Sequence, residues 1–363
     1  MDQALIDDST LGIERKSLLP GTGFFLPDDV EAQRKDREVA ERATGADVLV
    51  VADPDADGLA CAATVREVFG EAALIPAGPH ELEDGLERAA EYGEPGASVF
   101  VCDLCPDRIG RVADELTALV DRAGEVRWFD HHEWDPAVAD AVREASVDLT
   151  VGGEDECTAD VAVRELEDVP ERLRELAAVT RDHDLWIKED PRSDDLADYA
   201  VWVEDDETYV ETVREHGPDL PADVEAFLAE RRVEKEALIE RAVDRADMRE
   251  VDGLTVGVTY GRCSQNEVAE ALRQEGADAA VVVKPAGSAS IRGTDTFERC
   301  HEVAAQVNGG GHPKAAGCKP DIYDDVLDYA HHWTTQGATA KQVILDAFHR
   351  LPEADADGAG TER

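Results

Sequence analysis

The sequence predicts an α/β fold: a parallel-sheet first domain covered by helices, a connecting helix, and a smaller α/β second domain. Three observations carry this expectation. Short Val-rich runs alternate with segments of helical period over the first part of the chain. Three of those runs end in turns crowded with carboxylates. The pattern then gives way to a charged helical stretch and starts again.

Residues 1–44 read as a charged helical segment, with "DDVEAQRKDREVAERATG" closing at Gly45. The run "VLVVADPDADG" (48–58) is a strand, an acidic turn and the start of a helix. "GASVFVCDLCP" repeats the plan with a strand over 97–102. "WFDHHEWD" (128–135) ends a third strand in a polar turn. A helix is expected over 172–187, "RLRELAAVTRDHDLWI". Strands alternating with helices predict a parallel sheet covered on both faces, with ligands bound beyond the carboxyl ends of its strands.

The first domain is placed at 45–190 and a helical linker at 191–249, including "VEAFLAERRVEKEALIERAVDRADM". The second domain is placed at 250–351, with strands at 254–261 and 278–287 around a helix at 264–275. A further helix is expected at 298–307, and 352–363 reads as a disordered tail.

Composition narrows the function classes. A chain of 363 residues with 43% hydrophobic content holds two ordinary cores. No apolar run approaches the ~18 residues of a membrane span, and no membrane partner is expected. The start "MDQALIDDSTLGIERK" is acidic where a secretory leader is basic, so a cytoplasmic location is expected. The net charge is −47, from 83 Asp and Glu against 36 Lys and Arg. Only 8 of those 36 are Lys, and the acids are spread along the chain. This composition resembles that of salt-in halophiles such as haloarchaea, where concentrated salt screens the self-repulsion. It describes the solvent, not the substrate, and no basic groove stands out. The 7 cysteines are scattered, and "CDLC" (102–105) has no second pair, so they read as small buried hydrophobes.

The chemistry sits in the acidic turns. Asp53, Asp55 and Asp57 follow the first strand, Asp103 the second, and Asp130, His131 and His132 the third. All fall at one edge of one sheet. Asp182, His183 and Asp184 form a fourth group near a helix end. Carboxylates with one or two imidazoles suit Mn²⁺ or Mg²⁺, whereas thiolate sets suit zinc. Asp103 is placed to bridge two ions, with His131 and Asp182 completing the second. Two ions about 3.5–4 Å apart activate water and neutralise a phosphoryl group. His183 and Asp184 are expected to cap or orient the local helix.

"VADPDADGLACAA", "VFVCDLCP", "WFDHHEWD" and "AVTRDHDLW" together resemble the four motifs of the DHH phosphoesterase superfamily, in the family's order. "SIRGTD" followed by "GGGHPKAAG" resembles the signature of the DHH-associated C-terminal domain. The resemblance covers about 45–350. It implies hydrolysis of phosphomonoesters or phosphodiesters with two Mn²⁺ ions, Mg²⁺ being a possible substitute. It implies Asp55, Asp57, Asp103, His131 and Asp182 as metal ligands. His132 would contact the substrate phosphate, with Asp130 orienting the histidines. Arg292, His312 and the glycines Gly309, Gly310 and Gly311 would grip a substrate phosphate, the glycines as an anion nest.

Oligoribonuclease-like branches carry a His four residues before the first metal Asp. Here that position is Val51, and Asp53 stands two before Asp55. The resulting D-x-D-x-D-G resembles the RecJ-type single-strand exonucleases and assigns Asp53 to the site. "TRDHDLW" departs from the RecJ pattern, and the chain is short for the extra strand-binding OB domain of bacterial RecJ. Three readings follow. The first is a Mn²⁺-dependent RecJ-like exonuclease on single-stranded DNA or RNA. The second is a phosphoesterase for cyclic dinucleotides, very short RNA or adenosine bisphosphate. The third is a silent partner protein in replication or RNA decay.

Overall fold

The computed structural model describes residues 28–79, 81–203 and 205–351. The expected tail, and residues 1–27 of the N-terminal helical segment, lie outside the described residues. The chain divides into two compact units, one comprising Asp29–Glu230 and the other the described residues from Arg231 on.

The first unit opens with helix α1 (Asp28–Ala43). Its sheet is five-stranded and wholly parallel, formed by β1 (Val48–Ala52), β2 (Ala73–Pro76), β3 (Ser98–Cys102), β4 (Glu125–Asp130) and β5 (Asp148–Val151). The spatial order is β2-β1-β3-β4-β5. Alternate residues of β1 enter opposite cores, as a pleated strand requires. Val48, Val50 and Ala52 pack with Leu59, Ala62 and Leu176 on one face. Leu49 and Val51 pack with Leu86, Leu116 and Trp128 on the other. A strand buried on both faces is necessarily apolar throughout, and each large side chain so buried contributes about 1.5–3 kcal/mol. The expected parallel sheet with helices on both faces is what forms.

Helix α2 (Ala56–Phe69) leads from β1 to β2, and α3 (Leu82–Tyr92) from β2 to β3. Beyond them come α4 (Ala113–Arg122), α5 (Pro136–Glu144), α6 (Thr158–Glu165) and α7 (Glu171–Asp184). The expected linker at 191–249 is corrected. Helices α8 (Arg192–Trp202) and α9 (Asp206–His216) belong to the first unit. Leu196, Tyr199, Ala200 and Val203 form a buried stripe spaced i, i+3, i+4, i+7, and Tyr209 and Val213 join the same core. Their charged outer faces make the sequence read as solvent-exposed. Only α10 (Ala222–Asp244) carries the chain from one unit to the other.

The second unit holds a six-stranded sheet ordered β10-β11-β9-β8-β7-β6. Its strands are β6 (Asp247–Val251), β7 (Leu254–Tyr260), β8 (Ala279–Val283), β9 (Ala289–Gly293), β10 (Gly309–Gly311) and β11 (Ala315–Cys318). Only β7 and β8 pair in parallel, joined by α11 (Gln265–Gln274). The other pairs are antiparallel. Helices α12 (Cys300–Ala305), α13 (Val326–Thr334) and α14 (Ala338–His349) complete it. No helix among the described residues is long and apolar enough to cross a membrane.

Candidate metal centre

The register of the parallel sheet builds the site. Ala52 is level with Cys102, and Cys102 with Phe129. The residues that follow therefore leave the same sheet edge side by side: Asp53 after β1, Asp103 after β3, and Asp130 ending β4. In the order β2-β1-β3 the connections diverge to opposite sides between β1 and β3, which opens a crevice at the carboxyl ends. Asp53 and Asp103 flank that crevice.

Each acid is then aimed by a local device. Asp55 caps α2, its Oδ1 accepting from the Asp57 and Gly58 amides at 2.9 and 3.1 Å. Gly58 lets the turn close, because a Cβ there would lie 2.3 Å from the Asp53 carbonyl oxygen. Asp57 is buried, and its two oxygens accept from the Thr158 and Ala159 amides at 2.7 and 2.8 Å. Those amides are the N-terminus of α6, whose dipole favours an anion. Asp103 is buried and sits in left-handed backbone at φ 60°, a strained setting found at functional sites. Its Oδ1 accepts from the Thr158 hydroxyl at 2.9 Å.

The histidines divide their work. His131 Nε2 lies 3.4 Å from Asp184 Oδ2 and 3.7 Å from Asp103 Oδ1. His132 instead donates from Nδ1 to Asp130 Oδ1 at 2.8 Å. Trp134 donates from Nε1 to Asp130 Oδ2 at 2.6 Å. Asp130 is fully buried and fixes the His132 ring without being close enough to join a ligand group.

Three overlapping groups have ligand atoms within 4.8 Å of one another: Asp53, Asp55 and Asp103; Asp103, His131 and His132; and Asp57, His131 and Asp184. Asp103 and His131 each belong to two of them. The electrostatics match a site built around cations. Burial, reinforced by Asp55, pushes the Asp53 carboxyl up to about 8. Burial and the Asp57 and Asp55 charges push Asp184 up to about 8. Burial and the same two acids raise Asp103 well above the carboxylate range. His132 is pulled down by burial, but its bond to Asp130 and the surrounding acids outweigh this and push it up to about 9. Asp184 Oδ2 is a buried atom with no hydrogen-bond partner among the described residues. Crowded oxygen donors, two imidazoles and an orphaned carboxylate oxygen fit hard divalent cations.

The fourth motif is corrected. Asp182 does not enter any of these groups; its Oδ1 accepts from the Glu189 amide at 2.9 Å and its Oδ2 from the Ser193 hydroxyl at 2.7 Å. Burial pushes Asp182 up, but the bonds from Ser193 and the Glu189 and Asp190 amides outweigh it and hold the carboxyl below its ordinary value. Asp184 instead lies in one of the three groups, with Asp57 and His131. Residues two apart on a helix point about 200° apart, so only one of them can face the sheet edge. The helix expected to 187 ends at Asp184, which frees that side chain at the last turn. Sequence reasoning also missed Thr158, Trp134 and Ser193, which carry no ligand chemistry of their own. The run "ECTADV" at a helix start was a capping signal that could have pointed to Thr158. His183 donates from Nδ1 to Asp194 Oδ1 at 2.9 Å, a local tie as expected. No cysteine joins a ligand group among the described residues.

In the second unit, Arg292 lies on β9 level with Ala315, and Ala315 closes a hairpin with His312 through paired backbone bonds of 2.7 and 3.2 Å. The Arg292 guanidinium bonds Asn266 Oδ1 at 2.9 Å and the Ile291 carbonyl at 3.1 Å. The three glycines form strand β10 instead of a nest. A Cβ on Gly309 would lie 2.1 Å from the Gly317 carbonyl oxygen, so close strand approach explains the glycine. Pairing alternates along an antiparallel ladder. Since His312 with Ala315 is a bonded pair, Gly310 with Gly317 is the next, and the Gly309 and Gly311 amides point to the sheet's outer edge.

The two-unit chain order, a parallel five-stranded sheet followed by a mixed-sheet unit, is similar in fold to a solved RecJ. RecJ from Thermus thermophilus, solved with Mn²⁺, matches over 89% of this chain with a TM-score of 0.51 at 15% identity. This chain covers 55% of that RecJ, about half its length. Two looser likenesses are a pGpG-specific phosphodiesterase of Vibrio cholerae and an exopolyphosphatase-related protein from Bacteroides fragilis. The first has TM-score 0.46 and 12% identity over 82% of this chain and 98% of that one. The second has TM-score 0.44 and 12% identity over 86% and 98%. No protein-family model and no curated protein sequence shows a significant match to the chain.

Proposed function

We propose that this protein is a metal-dependent phosphodiester hydrolase, acting as a RecJ-like exonuclease on single-stranded DNA or RNA. The observation that carries the reading is the overlap of the three ligand groups through Asp103 and His131. Asp53, Asp55, Asp57, Asp103, His131 and Asp184 would hold two divalent ions, Mn²⁺ by preference. Such ions neutralise phosphoryl charge and make water nucleophilic near neutral pH.

The chain's own groups do the rest. His132, pushed up to about 9, carries both ring protons near neutral pH: Nδ1–H donates to Asp130, and Nε2–H would donate to a phosphoryl oxygen. Trp134 locks Asp130 and so fixes the imidazole plane. Arg292, His312 and the outward amides of Gly309 and Gly311 would bind a substrate phosphate, the guanidinium supplying charge and the amides geometry.

A second reading, hydrolysis of dinucleotide-sized substrates, is favoured by the sequence, in which no basic groove stands out to hold a long polyanion. The test is product analysis with Mn²⁺ in concentrated KCl. Single strands of DNA and RNA labelled at either end are compared with a cyclic dinucleotide. Stepwise release of mononucleotides supports the exonuclease and gives its direction. Intact strands beside a cleaved dinucleotide move the protein to the second reading. No hydrolysis of either rejects both.

A further inference from the structure

The turn after Asp184 is built at greater cost than a helix end requires. Helices α2 and α9 end on glycines, Gly70 at φ 87° and Gly217 at φ 66°, where positive φ is free of strain. The end of α7 instead places Trp186 and Lys188 in left-handed backbone, at φ 58° and 62°. Such residues are strained and persist only where their surroundings over-determine them.

The surroundings here are Asp182 and Ser193. The Asp182 carbonyl accepts from the Ile187 and Lys188 amides at 2.8 and 3.2 Å. Its carboxylate accepts from the Glu189 amide and the Ser193 hydroxyl. Four bonds from one residue thus clamp the turn, and Ser193 is 1% exposed. A second clasp closes over it. The Lys188 ammonium bonds Asp194, which also accepts from His183 Nδ1, and lies 3.9 Å over the Trp186 ring. The outcome is a division between two carboxylates two residues apart. Asp182 is saturated with hydrogen bonds, while Asp184 is delivered beside His131, its Oδ2 3.4 Å from Nε2 and taking no hydrogen bond among the described residues.

We infer that Asp182 and Ser193 are positioning residues of the metal centre, clamping the strained 184–188 turn so that Asp184 is held in ligand position. The inference rests on the two-metal reading above. A glycine-ended helix would release the turn and let the Asp184 side chain swing to solvent.

The experiment is a titration of the chelator-stripped protein with Mn²⁺, followed by electron paramagnetic resonance of the free ion. Wild type is compared with Ser193→Ala, Asp182→Asn, Asp184→Ala and the Ser193→Ala/Asp184→Ala double variant, with thermal unfolding of each stripped protein alongside. Ser193→Ala and Asp182→Asn are expected to weaken one Mn²⁺ site about 10- to 100-fold and leave the other unchanged. In the Asp184→Ala background, Ser193→Ala is expected to have no further effect on Mn²⁺ affinity. The inference is overturned if both single variants bind two ions as tightly as wild type while losing only unfolding temperature. Equal weakening by Ser193→Ala in both backgrounds overturns it too. If Asp184→Ala itself keeps both ions at wild-type affinity, the two-metal reading at Asp184 fails first.

Discussion

The Thr158 hydroxyl donates to Asp103 Oδ1 at 2.9 Å, joining the start of α6 to the carboxylate shared by two of the three ligand groups. The Thr158 amide meanwhile donates to Asp57 Oδ2 at 2.7 Å. One residue therefore sets the spacing between two acids that would otherwise repel.

Thr158→Val keeps shape and amide but removes the hydroxyl. It is expected to lower Mn²⁺ affinity or turnover about 10- to 100-fold, the usual effect of losing a hydrogen bond behind a ligand. Parallel metal titration and steady-state kinetics check this, and wild-type values in both would show that the Asp103 geometry does not depend on Thr158.

Asp103→Ala is expected to reduce hydrolysis by more than about 10³-fold, since the residue shared between two groups is the one both ions would need. Arg292→Ala is expected to raise KM more than it lowers kcat, as loss of substrate binding does. An unchanged KM would remove the second unit from phosphate binding.

Gly58→Ala puts a methyl group 2.3 Å from the Asp53 carbonyl oxygen. Something must move, and the loop carrying Asp53 and Asp55 is what it meets. A loss of about 1–3 kcal/mol in stability is expected, with activity falling alongside. Thermal unfolding and an activity assay on the same preparation measure both, and an unperturbed variant would contradict the close approach.

The acids also predict a pH dependence for the metal-free protein. Asp53 and Asp184 are each raised to about 8, from an ordinary value near 4. Between those values the folded state holds protons that the unfolded state has released. The stability these groups contribute is present at acid pH and is lost as pH rises through about 8. Stripped Asp184→Asn, which cannot ionise there, is expected to exceed stripped wild type in unfolding temperature above pH 8. The gap should close on acidification. A gap that widens at low pH would contradict the sign.

Bound metal should reverse that trend. Ions that bind only the folded state stabilise it by RT ln(1 + [L]/Kd), about 2.7 kcal/mol at a hundredfold excess over Kd. Mn²⁺ is expected to raise the unfolding temperature most where the carboxylates are ionised, and to release protons on binding at neutral pH. Calorimetry in buffers of different ionisation enthalpy counts those protons. A titration with no proton release would mean that the raised carboxyls do not meet the ion.

Much of this protein is legible along the chain. The short Val-rich apolar runs at 48–52 and 98–102 are strands because a β residue buried on either face has no polar alternative. Their acidic turns must then share an edge, since parallel strands end on the same side. Asp53, Asp55, Asp57, Asp103 and His131 follow from that logic. What stayed hidden is decided across space. The four-residue strands β2 and β5 are too short to show a period. Residues 191–230 look like a charged linker until their apolar stripe finds the core. The choice between Asp182 and Asp184 turns on where Ser193 and the Glu189 amide lie, and neither is local to the motif. Sequence determined which chemistry meets at the sheet edge, because strand period and direction are local properties. Tertiary structure decided which carboxylate joins the candidate ligand groups and which the backbone, because hydrogen-bond partners are assigned in three dimensions.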